Sequence, residues 1–439
     1  MTSLLAFVFV LGVLIFVHEL GHFLMARRIG VRVLTFSLGF GPKLLSFKRG
    51  DTEYCVSAIP LGGYVKMAGE NPDDARTGAD DEFLSKSKWQ RFQVLVMGPV
   101  MNLLLAFVVL AIVLYQGAQI AAFQEEPVVI GSFKSDSVAP AAGLQAGDRV
   151  VMVDGLRVGT WEEFSMAILP KAKRTVTLVI ERNGQALEKQ VVPHAVGKFE
   201  MGDIGILPVM RPEIAAINAG EPAQDAGLKP NDVILGVGNE RGISRDRVVE
   251  LIKTNEQKPL IFHIERDGQP HQATVTPRKI EDTIRIGATI SPVELITVNP
   301  SFFEAIKLSA ERNWEWSKLI IKTLIGLFTR ETSVKQLMGP VAIADLSGTA
   351  AEQGWAQLFS LMAMISLNLG LLNLMPIPVL DGGHIAILAL EGLSRRDFSM
   401  KVKEKMLLAG FVLLLTLMVT VIYNDLTRVQ WFERLMPWR

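Results

Sequence analysis

Four long apolar runs, separated by polar stretches, dominate the hydropathy pattern of this 439-residue chain. They cover residues 3–25, 92–115, 358–375 and 406–422. A helix rises about 1.5 Å per residue, so the first two runs are long enough to cross a bilayer, and the last two are near the short limit. The third run is also compatible with a buried core helix. The pattern predicts a multi-pass α-helical membrane protein with four transmembrane helices.

The basic residues predict an orientation for these helices. The loop after the first run carries Arg27, Arg28, Arg32 and several lysines, and the loop before the fourth run is also basic around residues 395–405. No Lys or Arg precedes the first run. By the positive-inside rule, both loops are expected in the cytoplasm, with both termini and the long middle region outside. The first run lacks a basic leader and a small-residue cleavage site, so we expect a retained helix.

Two regions near the predicted membrane have distinctive local patterns. Residues 33–45 and 53–67 predict strands punctuated by glycines, either an ordinary cytoplasmic hairpin or an edge strand that pairs with an extended substrate. Residues 300–330 predict an amphipathic helix with Trp314 and Trp316 beside apolar residues. Such a helix lies in the membrane interface or packs on protein.

The middle region contains an internal repeat. Residues 142–150 match 226–234, and residues 180–185 match 264–269, both at an offset of 84 residues. Two matches at one spacing indicate two copies of one β-rich domain. Each copy has a hairpin-turn dipeptide, Asn183-Gly184 or Asp267-Gly268. The pattern resembles PDZ domains of the permuted bacterial kind, which bind extended peptides by strand addition, with residues 203–207 as the groove strand of the second copy. Spacer modules are the alternative.

Composition narrows the chemistry. Lys+Arg and Asp+Glu both total 45, so the net charge gives no indication of nucleic-acid binding. Cys55 is the single cysteine. It excludes intrachain disulfides and a cysteine-built zinc site, which leaves histidine and carboxylate as metal ligands.

The first apolar run contains an H-E-x-x-H motif formed by His18, Glu19 and His22. On a helix, residues four apart share a face, so the two imidazoles can bind one zinc ion. Glu19 is suited to take a proton from an attacking water. The pattern occurs by chance in soluble helices, but ionisable residues inside an apolar span are costly and mark functional sites.

A second polar site follows the third run. Pro376 and Pro378 end any regular helix, and Asp381 then stands on a glycine-flanked turn. Its carboxylate would complete a His-His-Asp site with the fourth tetrahedral position left for water. An exposed loop aspartate is the plain alternative. His384 is a weaker candidate for third ligand and fits a supporting role better.

Together the motifs resemble the site-2 protease family, over essentially the whole chain. They are H-E-x-x-H, the N-x-x-P-x-P-x-L-D-G pattern of residues 373–382, the G-x-x-x-N pattern of residues 98–102, and the tandem repeats. The resemblance implies His18, His22 and Asp381 as ligands of Zn²⁺ and Glu19 as catalytic base. It further implies substrate handling by a second set of residues: Asn368, Asn373, Asn102, Gly62 and Gly63. Residues 39–67 resemble a membrane re-entrant β-hairpin.

The implied function is hydrolysis of a peptide bond inside the transmembrane segment of single-pass membrane proteins, such as an anti-sigma factor or a signal-peptide remnant. The implied location is the bacterial inner membrane, with both termini and both PDZ domains extracytoplasmic. The rival hypotheses are a membrane-anchored PDZ scaffold with a structural or vestigial metal site, and a zinc hydrolase acting on lipid or a small molecule. The predicted organisation assigns 1–120 and 346–439 to the membrane parts, 125–196 and 200–280 to the PDZ domains, and 281–345 to a connecting region.

Overall fold

The computed structural model of the protein describes residues 2–70, 78–197, 200–280, 283–329, 332 and 334–427. The predicted C-terminal membrane part extends to 439, so its last twelve residues lie outside this range. The chain divides into two compact units. One comprises Met1–Gly117, Asn299–Arg330 and Leu337–Arg439, and is mainly helical. The other comprises Ala118–Val298 and Glu331–Gln336, and is β-rich.

Helices form most of the first unit, and the short helices at 161–168, 222–225 and 245–254 lie in the second. The described residues form these α-helices: α1 (Thr2–Arg28), α2 (Lys88–Tyr115), α3 (Trp161–Ile168), α4 (Pro222–Asp225), α5 (Arg245–Thr254), α6 (Phe302–Phe328), α7 (Pro340–Gln353), α8 (Trp355–Leu374), α9 (Asp381–Leu393) and α10 (Met400–Leu426). Short 3₁₀ turns occupy Phe83–Ser85, Ala122–Glu125, Leu169–Lys171 and Val334–Gln336.

Most of the described strands lie in the second unit, whereas the two longest, 33–49 and 52–67, lie in the first. The described strands are β1 (Val33–Arg49), β2 (Thr52–Met67), β3 (Ala118–Ala121), β4 (Ser132–Phe133), β5 (Arg149–Val153), β6 (Leu156–Arg157), β7 (Val176–Arg182), β8 (Gln185–Val191), β9 (His194–Val196), β10 (Met201–Asp203), β11 (Ile206–Leu207), β12 (Glu213–Ile217), β13 (Val233–Val237), β14 (Glu240–Arg241), β15 (Leu260–Arg266), β16 (Gln269–Val275), β17 (Arg278–Ile280), β18 (Thr283–Arg285), β19 (Ala288–Ser291) and β20 (Leu295–Val298).

Four of the described helices are long and apolar enough to cross a membrane, as predicted: α1, α2, α8 and α10. The first three share a core built around Val10, Leu14, Leu110 and Met362. Gly21 lies so close to the backbone of Met97 that no side chain would fit between them. This close approach brings the H-E-x-x-H face of α1 against α2.

Polar contacts hold helix α10 to the rest of its unit at both of its ends. Near its start, Lys403 Nζ lies 2.6 Å from the carboxylate of Glu391, which is 1% exposed. Near its end, Asp425 accepts hydrogen bonds from the backbone N–H groups of Gly339 (3.2 Å) and Ala342 (3.0 Å), at the start of α7. Much of the surface between these ends is exposed and apolar, as expected for a helix that faces lipid: Leu408, Phe411, Val412, Leu413, Val419.

The segment predicted as a simple hairpin is a more folded sheet. Residues 35–38 pair both with 63–66 and with 53–56, while residues 45–49 pair with 52–56. Strand β1 therefore contributes segments 33–38 and 43–49, and β2 contributes 52–57 and 63–67. Across the sheet their order is 63–67, 33–38, 52–57 and 43–49. Gly39 (φ +90°) and Gly41 (φ +85°) allow the bend within β1. Segment 63–67 forms one edge of the sheet.

The β-rich unit contains two hydrophobic cores that follow the sequence repeat. The first includes Val150 and Ile180, and the second includes Ile234 and Ile264. The first core also takes in Ile204 and Ile206, so the expectation that residues 203–207 form the groove strand of the second copy is wrong. These residues are the repeat equivalents of Ala288 and Ile290, which pack in the second core.

The same buried ion pair occurs in both cores. Asp148 is 1% exposed and accepts two hydrogen bonds from Arg182, at 2.6 and 2.7 Å. Asp232 is 0% exposed and accepts two from Arg266, again at 2.6 and 2.7 Å. Each arginine also donates to a glycine carbonyl, Gly143 or Gly227. Bidentate pairs with additional hydrogen bonds fix the turn before the central strand of each repeat.

Helix α6 packs one face on protein and leaves the other face exposed. Ser301 and Glu304 form a capping box that starts the helix. One face packs on α2, where Ser309 Oγ donates to the Phe107 carbonyl at 2.8 Å. The opposite face leaves large apolar side chains exposed, among them Phe303 (80%) and Trp314 (65%). An apolar face of this kind is typical of a helix at a membrane interface.

Candidate metal centre

Helix α1 and the start of α9 bring His18, His22 and Asp381 together. The two Nε2 atoms lie 3.2 Å apart, and Asp381 Oδ2 lies 3.1 Å from His18 Nε2 and 3.5 Å from His22 Nε2. Two ligands bound tetrahedrally to zinc at roughly 2.0–2.1 Å are about 3.3 Å apart. The three atoms therefore already have the spacing of a zinc site.

The donor set also suits zinc chemically. Two imidazole nitrogens and one carboxylate oxygen are a known catalytic set, which leaves a fourth position open for water or substrate. The three side chains are 11%, 10% and 19% exposed, respectively. Among the described residues, no other group of three or more His, Cys, Asp or Glu has metal-binding spacing. His384, the weaker sequence candidate, is exposed one turn further along α9 and lies outside the group.

The turn that presents Asp381 is tightly constrained. Gly382 and Gly383 lie against the backbone of Met375 and Ile377, where an added side chain would overlap. Val379 has φ +88°, a conformation that is rare for a β-branched residue and stores strain. Leu380 is extended and Asp381 is the first residue of α9. The carboxylate is thus held by a rigid turn rather than by a mobile loop.

Helix α2 contacts the outer nitrogens of both histidines. His22 Nδ1 donates to the Val94 carbonyl at 2.8 Å, and Asn102 Nδ2 lies 3.2 Å from His18 Nδ1. Gly98 lies between them, and a Cβ atom added to it would overlap the His22 ring, nearest to Nε2. Residues 94, 98 and 102 are spaced by four and so form one face of α2. Val94 and Asn102 thus contact the two rings at Nδ1, which leaves both Nε2 atoms for the metal position.

Glu19 contacts the edge segment of the β1–β2 sheet. A Cβ atom on Gly63 would lie 3.0 Å from Glu19 Cγ and 2.8 Å from the Ser37 carbonyl oxygen. Gly62 has φ +138° and lies against the Phe40 ring. Both positions therefore require glycine, which lets the backbone of the edge segment approach the candidate base closely.

The two asparagines predicted to handle substrate lie on α8. Asn368 and Asn373 are part-buried, and neither side-chain amide forms a hydrogen bond within the described part of the chain. Ser366, on the same helix, donates to the backbone carbonyl of Asn102 at 2.7 Å. Asn102, predicted to join this group, is instead 0% exposed and contacts His18.

Sequence reasoning missed two contributions to the site. The Val94 carbonyl has no sequence signal, because every residue carries one. Gly98 belongs to the G-x-x-x-N pattern, but that pattern does not indicate its contact with the His22 ring. Its four-residue spacing from Asn102 does place the two on one helical face, which could have suggested a shared partner.

Comparison with known proteins identifies the family. The model of Peptidase family M50 matches residues 6–417. The chain belongs to peptidase family M50. The resemblance to site-2 proteases drawn from the motifs is thereby confirmed, and the peptidase activity with it.

Two relatives of this M50 chain match along nearly their entire length. A Neisseria meningitidis protein, named as a zinc metalloprotease, is 31% identical over 98% of this chain and 100% of its own. The regulator of sigma-E protease RseP of Escherichia coli is 32% identical over 97% of this chain and 99% of its own. A solved PDZ domain of an SdrC-like protein from Listeria innocua is 30% identical, over 19% of this chain and 92% of its own, with a TM-score of 0.17. So low a score supports no structural conclusion.

Proposed function

We propose that this M50 peptidase is an intramembrane zinc protease that hydrolyses a peptide bond within the transmembrane segment of single-pass membrane proteins. The observation that carries the proposal is the convergence of His18 Nε2, His22 Nε2 and Asp381 Oδ2 at zinc-ligand spacing. Both histidines lie on α1, which is long and apolar enough to span a membrane. A relative that matches this chain almost from end to end is also named as a zinc metalloprotease.

In the proposed mechanism His18, His22 and Asp381 hold the metal, and Glu19 moves the proton. Zinc, when bound, would polarise the scissile carbonyl and acidify the attacking water. The Glu19 carboxylate takes a proton from that water and later delivers it to the nitrogen of the leaving amine. A structural zinc site is normally closed by four protein ligands. The three-ligand group seen among the described residues favours catalysis over the scaffold hypothesis.

A transmembrane substrate must be unwound before it is cut, because its peptide bonds are hidden in i to i−4 hydrogen bonds. The edge segment 63–67 offers a strand with which an unwound stretch can pair, directly beside Glu19. The amides of Asn368 and Asn373 are without partners in the described chain and can bind the released backbone groups. Polar groups inside a membrane helix are costly unless they serve such a function.

The β-rich repeats are proposed to be extracytoplasmic PDZ domains that exclude substrates with bulky external domains. Their two cores and matched ion pairs support a duplicated domain. The basic loops around residues 27–49 and 395–405 support a cytoplasmic location for those loops, with both termini on the opposite side of a bacterial inner membrane. Because the Escherichia coli relative is named a regulator of sigma-E, anti-sigma factors are the first substrates to test, followed by signal-peptide remnants.

The decisive experiment measures zinc content and cleavage on one sample of purified protein. A truncated single-pass substrate is incubated with wild type, Glu19→Gln and Asp381→Ala, and the products are mapped by mass spectrometry. We expect one zinc and a cut within the span for wild type, zinc without cleavage for Glu19→Gln, and loss of zinc for Asp381→Ala. Zinc-loaded wild type that cuts no span would refute the protease proposal, and cleavage of phospholipid in its place would favour a lipid hydrolase.

A further inference from the structure

Asn102 is a buried side chain with a single polar partner. It is 0% exposed, its Nδ2 lies 3.2 Å from His18 Nδ1, and its Oδ1 is buried without a hydrogen bond among the described residues. Its backbone carbonyl is engaged separately, by Ser366 Oγ. Buried amide groups are nearly always satisfied, so one left half-satisfied at this place requires an explanation.

The chemistry of a metal-bound histidine supplies that explanation. A ring that binds through Nε2 carries its proton on Nδ1, and this N–H needs an acceptor that fixes the tautomer and the ring orientation. His22 has such an acceptor in the Val94 carbonyl. For His18 the group in that position is the amide of Asn102.

The Asn102 amide can form a hydrogen bond with either tautomer of His18. Its nitrogen donates when Nδ1 is bare, and after a half-turn its oxygen accepts when Nδ1 carries the proton. No other hydrogen bond within the described residues holds the amide in one orientation. Binding of a metal through Nε2 selects the second arrangement.

We propose that Asn102 is a positioning residue of the metal centre, whose amide oxygen accepts the Nδ1–H of His18 and so aims Nε2 at the metal. The inference rests on the proposed zinc site and assigns Asn102 a role other than the substrate binding that its motif had suggested. Its position fits this role, because the side chain is closed off from any substrate by its complete burial.

The test compares Asn102→Leu, which removes the amide at similar size, with Asn102→Asp, which keeps an acceptor. Asn373→Leu is the matched control on the proposed substrate side. Zinc affinity of the full-length protein in detergent is measured by chelator competition, and ligand geometry from the absorption spectrum of the Co²⁺-substituted protein. Loss of such outer partners typically weakens metal binding by roughly 10–100-fold.

We expect Asn102→Leu to lose zinc affinity by about that factor and to alter the cobalt spectrum. Asn102→Asp should stay close to wild type in zinc affinity and in the cobalt spectrum. Asn373→Leu should keep zinc affinity and raise KM. Equal zinc affinity in wild type and Asn102→Leu would overturn the inference alone, as would equal losses in the Leu and Asp variants. A wild type that binds no zinc would overturn the metal centre itself.

Discussion

The backbone of Gly98 lies directly against the imidazole of His22, so that a methyl group on Gly98 would overlap the ring. The ring atom nearest to that methyl group is Nε2, the nitrogen proposed to bind the metal, while Val94 holds Nδ1 on the other side of the ring. The orientation of a metal ligand on α1 thus depends on the absence of a side chain on α2.

Gly98→Ala is therefore expected to displace His22 and to weaken zinc binding, even though alanine favours the helix. Zinc content and cleavage should both fall by tenfold or more, the scale on which disturbed ligand support acts. Gly12→Ala is the control, since Gly12 is also helical and nothing lies within 4 Å of its added Cβ. An alanine at 98 that left zinc content intact would show that the ring can move without loss.

Val379 gives a second prediction, based on backbone conformation. At φ +88°, glycine would be unstrained, whereas proline is restricted to about −65°. Val379→Gly should retain zinc and cleavage, and Val379→Pro should lose both because the turn before Asp381 cannot form. Zinc analysis and a cleavage assay on the two purified variants test this. Equal activity in both variants would mean that the strained turn has no part in holding Asp381.

Gly63 gives a third prediction, which separates the edge segment from the metal. In Gly63→Ala the new methyl group meets the Ser37 carbonyl oxygen and Glu19 Cγ, so the edge segment must move away from the base. We expect slower cleavage with zinc content unchanged. Steady-state kinetics and metal analysis on the same preparation provide the measurement. Loss of zinc in this variant would indicate that the sheet supports the ligands rather than the substrate.

The matched ion pairs of the repeats give a fourth prediction, with a built-in control. Asp148→Asn should speed hydrogen exchange in β7 and β8 by about tenfold, the equivalent of one strong hydrogen bond. Strands β15 and β16 of the other repeat should be unaffected, and Asp232→Asn should reverse the pattern. Exchange by mass spectrometry on the full-length chain resolves the two repeats. Faster exchange in both repeats from either variant would mean that they unfold together.

The first repeat should also weaken in acid. The Arg182 guanidinium holds the pKa of Asp148 below its ordinary value of 3.8. A carboxyl whose pKa is lowered by folding stabilises the fold above its unfolded-state pKa, and loses that contribution as the pH falls through the lower folded-state value. The protection of β7 amides, taken relative to the intrinsic exchange rate at each pH, should therefore fall below about pH 4 in wild type. Asp148→Asn should show a smaller acid effect.

The sequence was most informative where chemistry requires particular residue types. Histidines inside an apolar run and an aspartate after two prolines have few explanations other than a shared site, and the structure brings His18, His22 and Asp381 together. The four spans followed from hydropathy alone. The roles of these residues in catalysis stay predictions until metal and cleavage are measured.

The long-range pairing of strands could not be predicted from the sequence. Nothing local indicates that residues 35–38 pair on both sides, because each segment alone fits a simple hairpin equally well. The placement of Ile204 and Ile206 in the first core likewise depends on which repeat their short strand joins. The apolar patterns of the two repeats are too similar to decide this from the sequence. The Val94 carbonyl and the missing side chain of Gly98 could not be predicted as contacts either, because neither depends on a distinctive side chain.

The run of Val94, Gly98 and Asn102 on α2 has a consequence for protein engineering. The groups that contact Nδ1 of both histidines belong to a helix that supplies no ligand. An α1 segment grafted into another membrane protein would carry H-E-x-x-H but neither the acceptors nor the gap for the His22 ring. The smallest portable form of this centre is the pair of helices, joined to the turn that bears Asp381.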